Sequence, residues 1–274
     1  MGDPLTTPPL APQDGGETPG LCSQLLARIE DAGLNASAPP QQRLLGGWVL
    51  RLSPGKAKRA RCVNALGVGQ LPLDELLQRA QAAFEARGLP FIVRITPFTQ
   101  PSTLDGELEA RGFVRFDDTQ VMIRTALSVP LLPPLPAGCR LELPGPAAFA
   151  DAVGGLRGSP LAQRQAHADR LHSAPVSCVG MLLRRDGELL ACGQIALEDD
   201  LVGLYDVFTA PAGRRQGLAG LLCRHLLATA CRRGARTAYL QVEADNGPAR
   251  RVYRRLGFVD GYAYHYRSPG PIVA

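Results

Sequence analysis

A short apolar strand at residues 204–209 runs into Arg214-Arg215-Gln216-Gly217-Leu218-Ala219-Gly220, and an amphipathic helix follows directly. Leu218, Leu221, Leu222, Leu226, Leu227 and Ala230 share one face of that helix, so a sheet has to lie beneath it. Small residues at 217, 219 and 220 let a phosphate approach the backbone. First-turn amides without intrahelical partners would donate to it, and the helix dipole favours its charge. Arg214 and Arg215 add fixed cations. The turn lacks the Lys-Ser/Thr ending of a P-loop and the Gly-x-Gly-x-x-Gly of a dinucleotide fold. An ordinary strand-to-helix connection can use the same residue types, so the surroundings decide the reading.

Downstream, residues 239–242 read as a strand, Asn246 follows, and residues 249–256 read as a short helix closed by Gly257 before Phe258. With Arg214-x-x-Gly217-x-Ala219, these parts stand in the order and spacing of the Gcn5-related N-acetyltransferases (GNAT), which the C-terminal half resembles. The resemblance implies acetyl-coenzyme A as acyl donor and an amine as acceptor. It also implies a mixed, mostly antiparallel twisted sheet flanked by helices.

The 274 residues, 45% of them hydrophobic, can bury two cores of ordinary domain size. No run of about 18 apolar residues is present, so no membrane partner is expected. The first 20 residues are rich in Pro, Gly and acids and read as a disordered tail rather than a signal sequence. Seven scattered cysteines without a Cys-x-x-Cys fit a reduced cytoplasm and provide neither a disulfide frame nor a metal site. Residues 205–274 carry 11 arginines against the four acids Asp206, Glu243, Asp245 and Asp260, so positive charge gathers around the glycine turn. A triply phosphorylated cofactor explains this as well as a polynucleotide does, and 5% aromatic content offers little for base stacking. No nucleic-acid partner is expected; a monomer or a homodimer fits equally.

Residues 129–138, with Pro130, Pro133, Pro134 and Pro136, form an extended linker that no helix or central strand could absorb. They divide the chain into a tail at 1–20, a first domain at 21–126, a linker at 127–138 and a second domain at 139–274. The second reads strand, two helices, three antiparallel strands, helix, strand, helix, strand, with tight turns at Asp186-Gly187 and Asp199-Asp200. The first reads helix 21–32, strands 47–52 and 61–66, helix 73–87, strand 91–96, helix 102–111, and a strand from Gly112-Phe113 to Arg124. Gly112-Phe113 and Gly257-Phe258 close equivalent helices, which points to internal duplication. Val68-Gly69-Gln70-Leu71-Pro72 keeps one glycine of the cradle and puts Pro near the helix start, so the first half reads as a degenerate copy in a tandem α/β (α+β) GNAT arrangement.

The resemblance also assigns roles. Val207, Phe208 and Thr209 would pair with the pantetheine arm where their strand splays from its neighbour, and an amide of Val207 or Phe208 would polarise the carbonyl. Arg214, Arg215, Gln216, Gly217, Leu218, Ala219 and Gly220 would hold the pyrophosphate. Tyr253 stands where many family members place an acid for the leaving sulfur, and Asn246 would contact the cofactor arm or cap a helix. The ribosomal-protein alanine acetyltransferases have a glutamate where Gln241 stands, and glutamine takes no proton. Asp206, a half-buried strand carboxylate whose pKa should rise, is the expected base, with Glu243 the other nearby acid. His265 with Tyr262, Tyr264 and Tyr266, and Trp48 and Arg51 in the first half, are candidate acceptor-pocket residues. The expected activity is N-acetylation of a small-molecule or amino-acid amine. A peptide N-terminal acetyltransferase and a non-catalytic acyl-coenzyme A sensor are the alternatives.

Overall fold

The computed structural model describes residues 21–271; the expected tail at 1–20 lies outside them. The first half runs α1 (Ser23–Ala36), β1 (Gln42–Leu45), β2 (Trp48–Arg51), β3 (Val63–Ala65), α2 (Leu73–Glu85), β4 (Val93–Ile95), α3 (Leu104–Ala110) and β5 (Val114–Arg124). The second runs β6 (Cys139–Glu142), α4 (Pro146–Leu156), α5 (Leu161–His172), β7 (Ser177–Arg185), β8 (Glu188–Glu198), β9 (Leu201–Thr209), α6 (Leu218–Arg232), β10 (Thr237–Glu243), α7 (Gly247–Arg255) and β11 (Val259–Ser268). The sequence reading lacked β1, although Gly46-Gly47 marks it. Both glycines have positive φ, 54° and 90°, as a two-residue hairpin turn demands, and they fold Leu45 back opposite Trp48. Asp186 and Gly187 do the same between β7 and β8, at 49° and 88°.

All eleven strands form one sheet in the order β1-β2-β3-β4-β11-β5-β10-β9-β8-β7-β6. Two neighbouring pairs are parallel, β3 with β4 and β9 with β10, and the others antiparallel. Followed inward, β1-β2-β3-β4 traces the same path as β7-β8-β9-β10, with β6 added outside β7, so the duplication is present in the topology. The closing turns repeat too: Phe113 N–H donates to Leu108 O at 3.0 Å and Phe258 N–H to Tyr253 O at 3.1 Å, across Gly112 and Gly257 at φ 79° and 85°. What the sequence did not disclose is that the repeats exchange their last strands. β5 lies between β11 and β10, and β11 between β4 and β5, so each final strand pairs with the other half's sheet.

On one face of the second half, Leu218, Leu222, Leu226 and Leu227 of α6 are buried over Ile195, Leu204 and Leu240. On the opposite face α1, a first-half helix, places Ile29, Ala32 and Ala36 among Tyr205, Tyr239, Tyr262, Tyr264 and Tyr266. Leu76 and Phe84 of α2 and Leu108 of α3 cover β2 and β4, and Phe149 and Leu171 of α4 and α5 pack on Leu182 and Cys192. A buried ion pair fixes α1 to the sheet. Arg94 grips both carboxylate oxygens of Glu30, Tyr262 donates to Glu30 Oε2 at 2.6 Å, and the Arg94 guanidinium lies 3.9 Å from the Tyr264 ring centroid. Burial pushes the Glu30 carboxyl up, but Arg94 and Tyr262 outweigh it and hold it below the usual carboxylate range.

Glu30→Ala would leave Arg94, 2% exposed, without a counter-charge. The variant is expected to lose about 3–5 kcal/mol in urea denaturation, and the Glu30→Met/Arg94→Met double variant less. A loss below about 1 kcal/mol in the single variant would show that the Tyr264 ring alone accommodates the guanidinium.

Candidate active site

The parallel ladder between β9 and β10 ends at Leu204 opposite Leu240, and beyond it the two strands separate. The cause is in β9. Phe208 pairs with Cys192 and Tyr205 with Gln194, so Asp206 and Val207 together oppose the single residue Gly193. Asp206 takes φ 51°, a left-handed value, to accommodate this bulge. The extra residue turns the end of β9 away from β10 and opens a cleft of about 740 Å³.

One side of the cleft carries Val207, Phe208, Arg214, Asn246 and Tyr253. Thr209 pairs with Ala191 and does not line it. Arg215 and Gly217 adopt positive φ, 61° and 74°, and the first helical hydrogen bond of α6 is Leu221 N–H to Gly217 O at 3.0 Å. The amides of Leu218, Ala219 and Gly220 therefore have no carbonyl one turn back, as a phosphate cradle requires. The Leu218 side chain is buried, so only its amide is on offer; Arg215 and Gln216 are exposed. A Cβ at Gly217 would meet nothing within 4 Å, so the space over the turn is open. These residues fit the pyrophosphate of coenzyme A.

Asn246 caps α7, its Oδ1 accepting from Ala249 N–H at 3.1 Å, and also lines the cleft. Tyr253 packs edge-on against Phe258, yet among the described residues its hydroxyl finds no hydrogen-bond partner. Burial pushes the phenol above its usual pKa, so it remains a proton donor at neutral pH.

Asp206 departs from expectation. Arg157 Nη1 donates to Oδ1 at 2.9 Å, Gln194 Nε2 donates to Oδ2 at 3.1 Å, and His167 Nε2 lies 3.3 Å from Oδ2. Burial pushes the carboxyl up, but His167, Arg157 and Arg170 outweigh it and hold it well below the usual carboxylate range. The expected upward shift is reversed, so the carboxylate is charged at neutral pH and a weaker base than its strand position suggests. It ties the bulge to α4 and α5.

The far side of the cleft comes from both halves. Lys58, Arg59 and residues 53–57 bring in the loop after β2; Asp117 and Thr119 come from β5, and Tyr264 and Tyr266 from β11. Tyr264 donates to Gln241 Oε1 at 2.8 Å, so the glutamine is engaged as an acceptor. His265 points to the other face, Nε2 2.9 Å from Asp105 Oδ1, because successive strand residues alternate. Trp48 and Arg51 are also removed from the cleft: Trp48 is enclosed in the first-half core, and Arg51 reaches the Arg59 carbonyl at 3.4 Å. His167, whose spacing from His172 is poor metal geometry, and Arg170, which the sequence does not single out, reach the cleft through a helix that shows no motif, only a position over the bulge.

The equivalent place in the first half is closed. Beyond the short parallel pairing of Val63 and Asn64 with Val93 and Arg94, the Ala65 carbonyl is taken by Gln100 N–H at 2.9 Å. Asp74 and Glu75 occupy the first turn of α2, where they already answer the helix dipole and would repel a pyrophosphate. A Cβ at Gly69 would come within 2.3 Å of Leu76, so that turn is filled by a leucine.

Residues 152–258 match the Acetyltransferase (GNAT) family, and the chain belongs to this superfamily of N-acetyltransferases. Among its relatives, the uncharacterized N-acetyltransferase YobR of Bacillus subtilis is 26% identical over 231 residues, 82% of this chain and 91% of that one. The mycothiol acetyltransferase of Actinosynnema mirum is 34% identical over 209 residues, 70% of this chain and 66% of that one. Of solved structures, a GCN5-related N-acetyltransferase from Kribbella flavida aligns with TM-score 0.64 at 22% identity, over 89% of this chain and 96% of that one. A tandem GNAT protein from the clavulanic acid biosynthesis pathway aligns at 0.56 and 17% identity, over 73% and 70%. These two share the fold.

Gly217→Asp places a carboxylate over the cradle in open space. Calorimetry should show coenzyme A binding lost while the variant still folds, with a melting temperature lowered by the strain of aspartate at φ 74°, and the parent should bind one coenzyme A per chain. Unchanged affinity in the variant, or two cofactors per parent chain, would refute the assignment of a single cradle.

Because the folded pKa of Asp206 lies below its unfolded value near 3.9, its charge stabilises the fold fully above that pH and progressively less below it. Asp206→Asn, which keeps a residue tolerant of left-handed φ, is expected to cost about 3 kcal/mol near pH 7. The difference from the parent should narrow as the pH falls below about 4. A difference that stays constant into acid would show that the carboxylate's charge is not what holds the bulge.

Proposed function

We propose that the protein transfers the acetyl group of acetyl-coenzyme A to a primary amine on a small molecule or amino acid. The observation that carries this reading is the unpartnered phenol of Tyr253 at a bulge-opened notch beside the orphan amides of α6. Acetyl-coenzyme A supplies the thioester whose carbon the amine attacks; the N–C bond forms as the C–S bond breaks. The chain's residues hold and move the protons. The Val207 amide, on the bulge, polarises the carbonyl, and Tyr253 protonates the departing sulfur. Of the three acids lining the cleft, Asp117 is bound by Lys58 at 2.9 Å and Asp206 by Arg157 and His167, which leaves the exposed Glu243 to accept the proton of the amine.

The cleft's volume is that of a site for small ligands, and its far wall is supplied by the first half. The relative named mycothiol acetyltransferase matches 70% of this chain and the ribosomal-protein alanine N-acetyltransferase of Escherichia coli 28%, which favours a small acceptor over a peptide terminus. A non-catalytic sensor would bind the cofactor and release no thiol from it with any amine.

In a thiol-release assay over a panel of amines, Tyr253→Phe should lower kcat by roughly a hundredfold with unchanged cofactor affinity. Glu243→Gln should lower kcat/KM most at the low end of the pH range, where the amine is protonated and a base matters most. Full turnover in Tyr253→Phe with only a lower melting temperature would make the tyrosine a packing residue.

A further inference from the structure

Deeper along β9, two guanidinium groups face the acceptor side of the cleft without an ion-pair partner among the described residues. Arg170 of α5 is only 8% exposed and lines the cleft; among the described residues its guanidinium makes one hydrogen bond, Nη1 donating to the Ala36 carbonyl at 3.3 Å. Asp206 is close enough to be felt, but its oxygens accept hydrogen bonds from Arg157 and Gln194, and His167 Nε2 stands 3.3 Å from Oδ2. Arg59, half-buried, makes two long contacts of 3.4 Å, to Ser37 Oγ and the Tyr264 hydroxyl, and lies 5.6 Å from the Tyr205 ring centroid.

A buried guanidinium is stable only when its charge is matched, and hydrogen bonds to neutral oxygens match it incompletely. Neighbouring acids do not serve. Asp117 is consumed by Lys58, and Glu243 stands at the end of β10. The cofactor's phosphates do not serve either. Tyr205 and Asp206, which these arginines flank, precede Thr209 by three or four residues, roughly 10–13 Å along the strand, and the cradle lies beyond that. Planar guanidinium forks recognise carboxylate and phosphate oxygens.

We propose that Arg170 and Arg59 form an oxyanion subsite, and that the acceptor is a primary amine bearing a carboxylate or a phosphate. The inference rests on the transferase reading above and names the substrate class of the same cleft. The anionic group docks between Arg170 and Arg59, and the amine is then directed past the bulge toward Val207 and Glu243. The loop carrying Arg59 belongs to the half without a cradle, so that half contributes directly to substrate choice.

Two measurements test this, one independent of turnover. In the thiol-release assay, amino acids are compared with their carboxamides, and aminoalkyl phosphates with the corresponding amino alcohols. In calorimetry, with coenzyme A present, N-acetyl amino acids are compared with N-acetyl amino-acid amides. Anionic members are expected to show KM or Kd at least tenfold below their neutral counterparts. Which acid wins distinguishes carboxylate from phosphate. Arg170→Gln and Arg59→Gln should each erase most of that preference, and Arg170→Lys should restore part of it, with KM for acetyl-coenzyme A unchanged as the check that each variant is folded. Neutral and anionic probes that bind alike, or a preference that survives both glutamine variants, overturns the subsite. Absence of thiol release with every amine, alongside selective binding of the anionic probes, would sink the transferase reading and leave the subsite standing.

Discussion

The pairing of β5 with β11 is the interaction on which the remaining structure depends. Each is the last strand of its own repeat and, through its other edge, extends the opposite half's parallel pair. Neither half therefore has a complete sheet alone, and the ladder that joins them lies at the middle of the molecule instead of at a surface contact. The same two strands supply Asp117, Thr119, Tyr264 and Tyr266 to the cleft, so the site's floor exists only once both repeats are in place.

Buried charge then fixes details that apolar packing leaves loose. Glu30 and Arg94 lock a first-half helix against second-half tyrosines, and Asp206 gathers Arg157 and His167 from two helices onto the bulge. A left-handed aspartate in a strand is costly by itself; its hydrogen bonds from Arg157 and Gln194 offset that cost and hold the notch open. A residue that reads from the sequence as a base is thus held as a brace, whereas the side chains of Tyr253 and Glu243 line the cleft without a hydrogen-bond partner among the described residues.

Much of this was legible in the sequence because it is local. The Arg214–Gly220 turn, the Asn246 cap and the Gly-Phe closures are set by neighbours a few residues apart, and they stand where their residue types require. The strand exchange was not legible, since β4, β5 and β11 carry the same alternation whichever partner they meet. The direction of the Asp206 shift was hidden for a related reason: it depends on Arg157 and His167, separated by 49 and 39 positions from a carboxylate whose own segment shows only burial. Trp48 and Arg51 were drawn toward the cleft by their place on a strand, when it was the following loop, with Lys58 and Arg59, that reached it.

The connection between the halves has a role that its irregular backbone conceals. Residues 125–138 carry no strand or helix, and their anchorage includes Leu127 N–H on the Arg236 carbonyl at 2.7 Å. Because exchanged strands already hold the repeats together, this segment has little orienting to do in the finished molecule. Its contribution is to encounter: it keeps two mutually dependent halves at the effective concentration of a tethered pair, in the millimolar range for short flexible links, far above what separate chains would reach. Assembly of the sheet is thereby a unimolecular event, insensitive to how much of the protein is present.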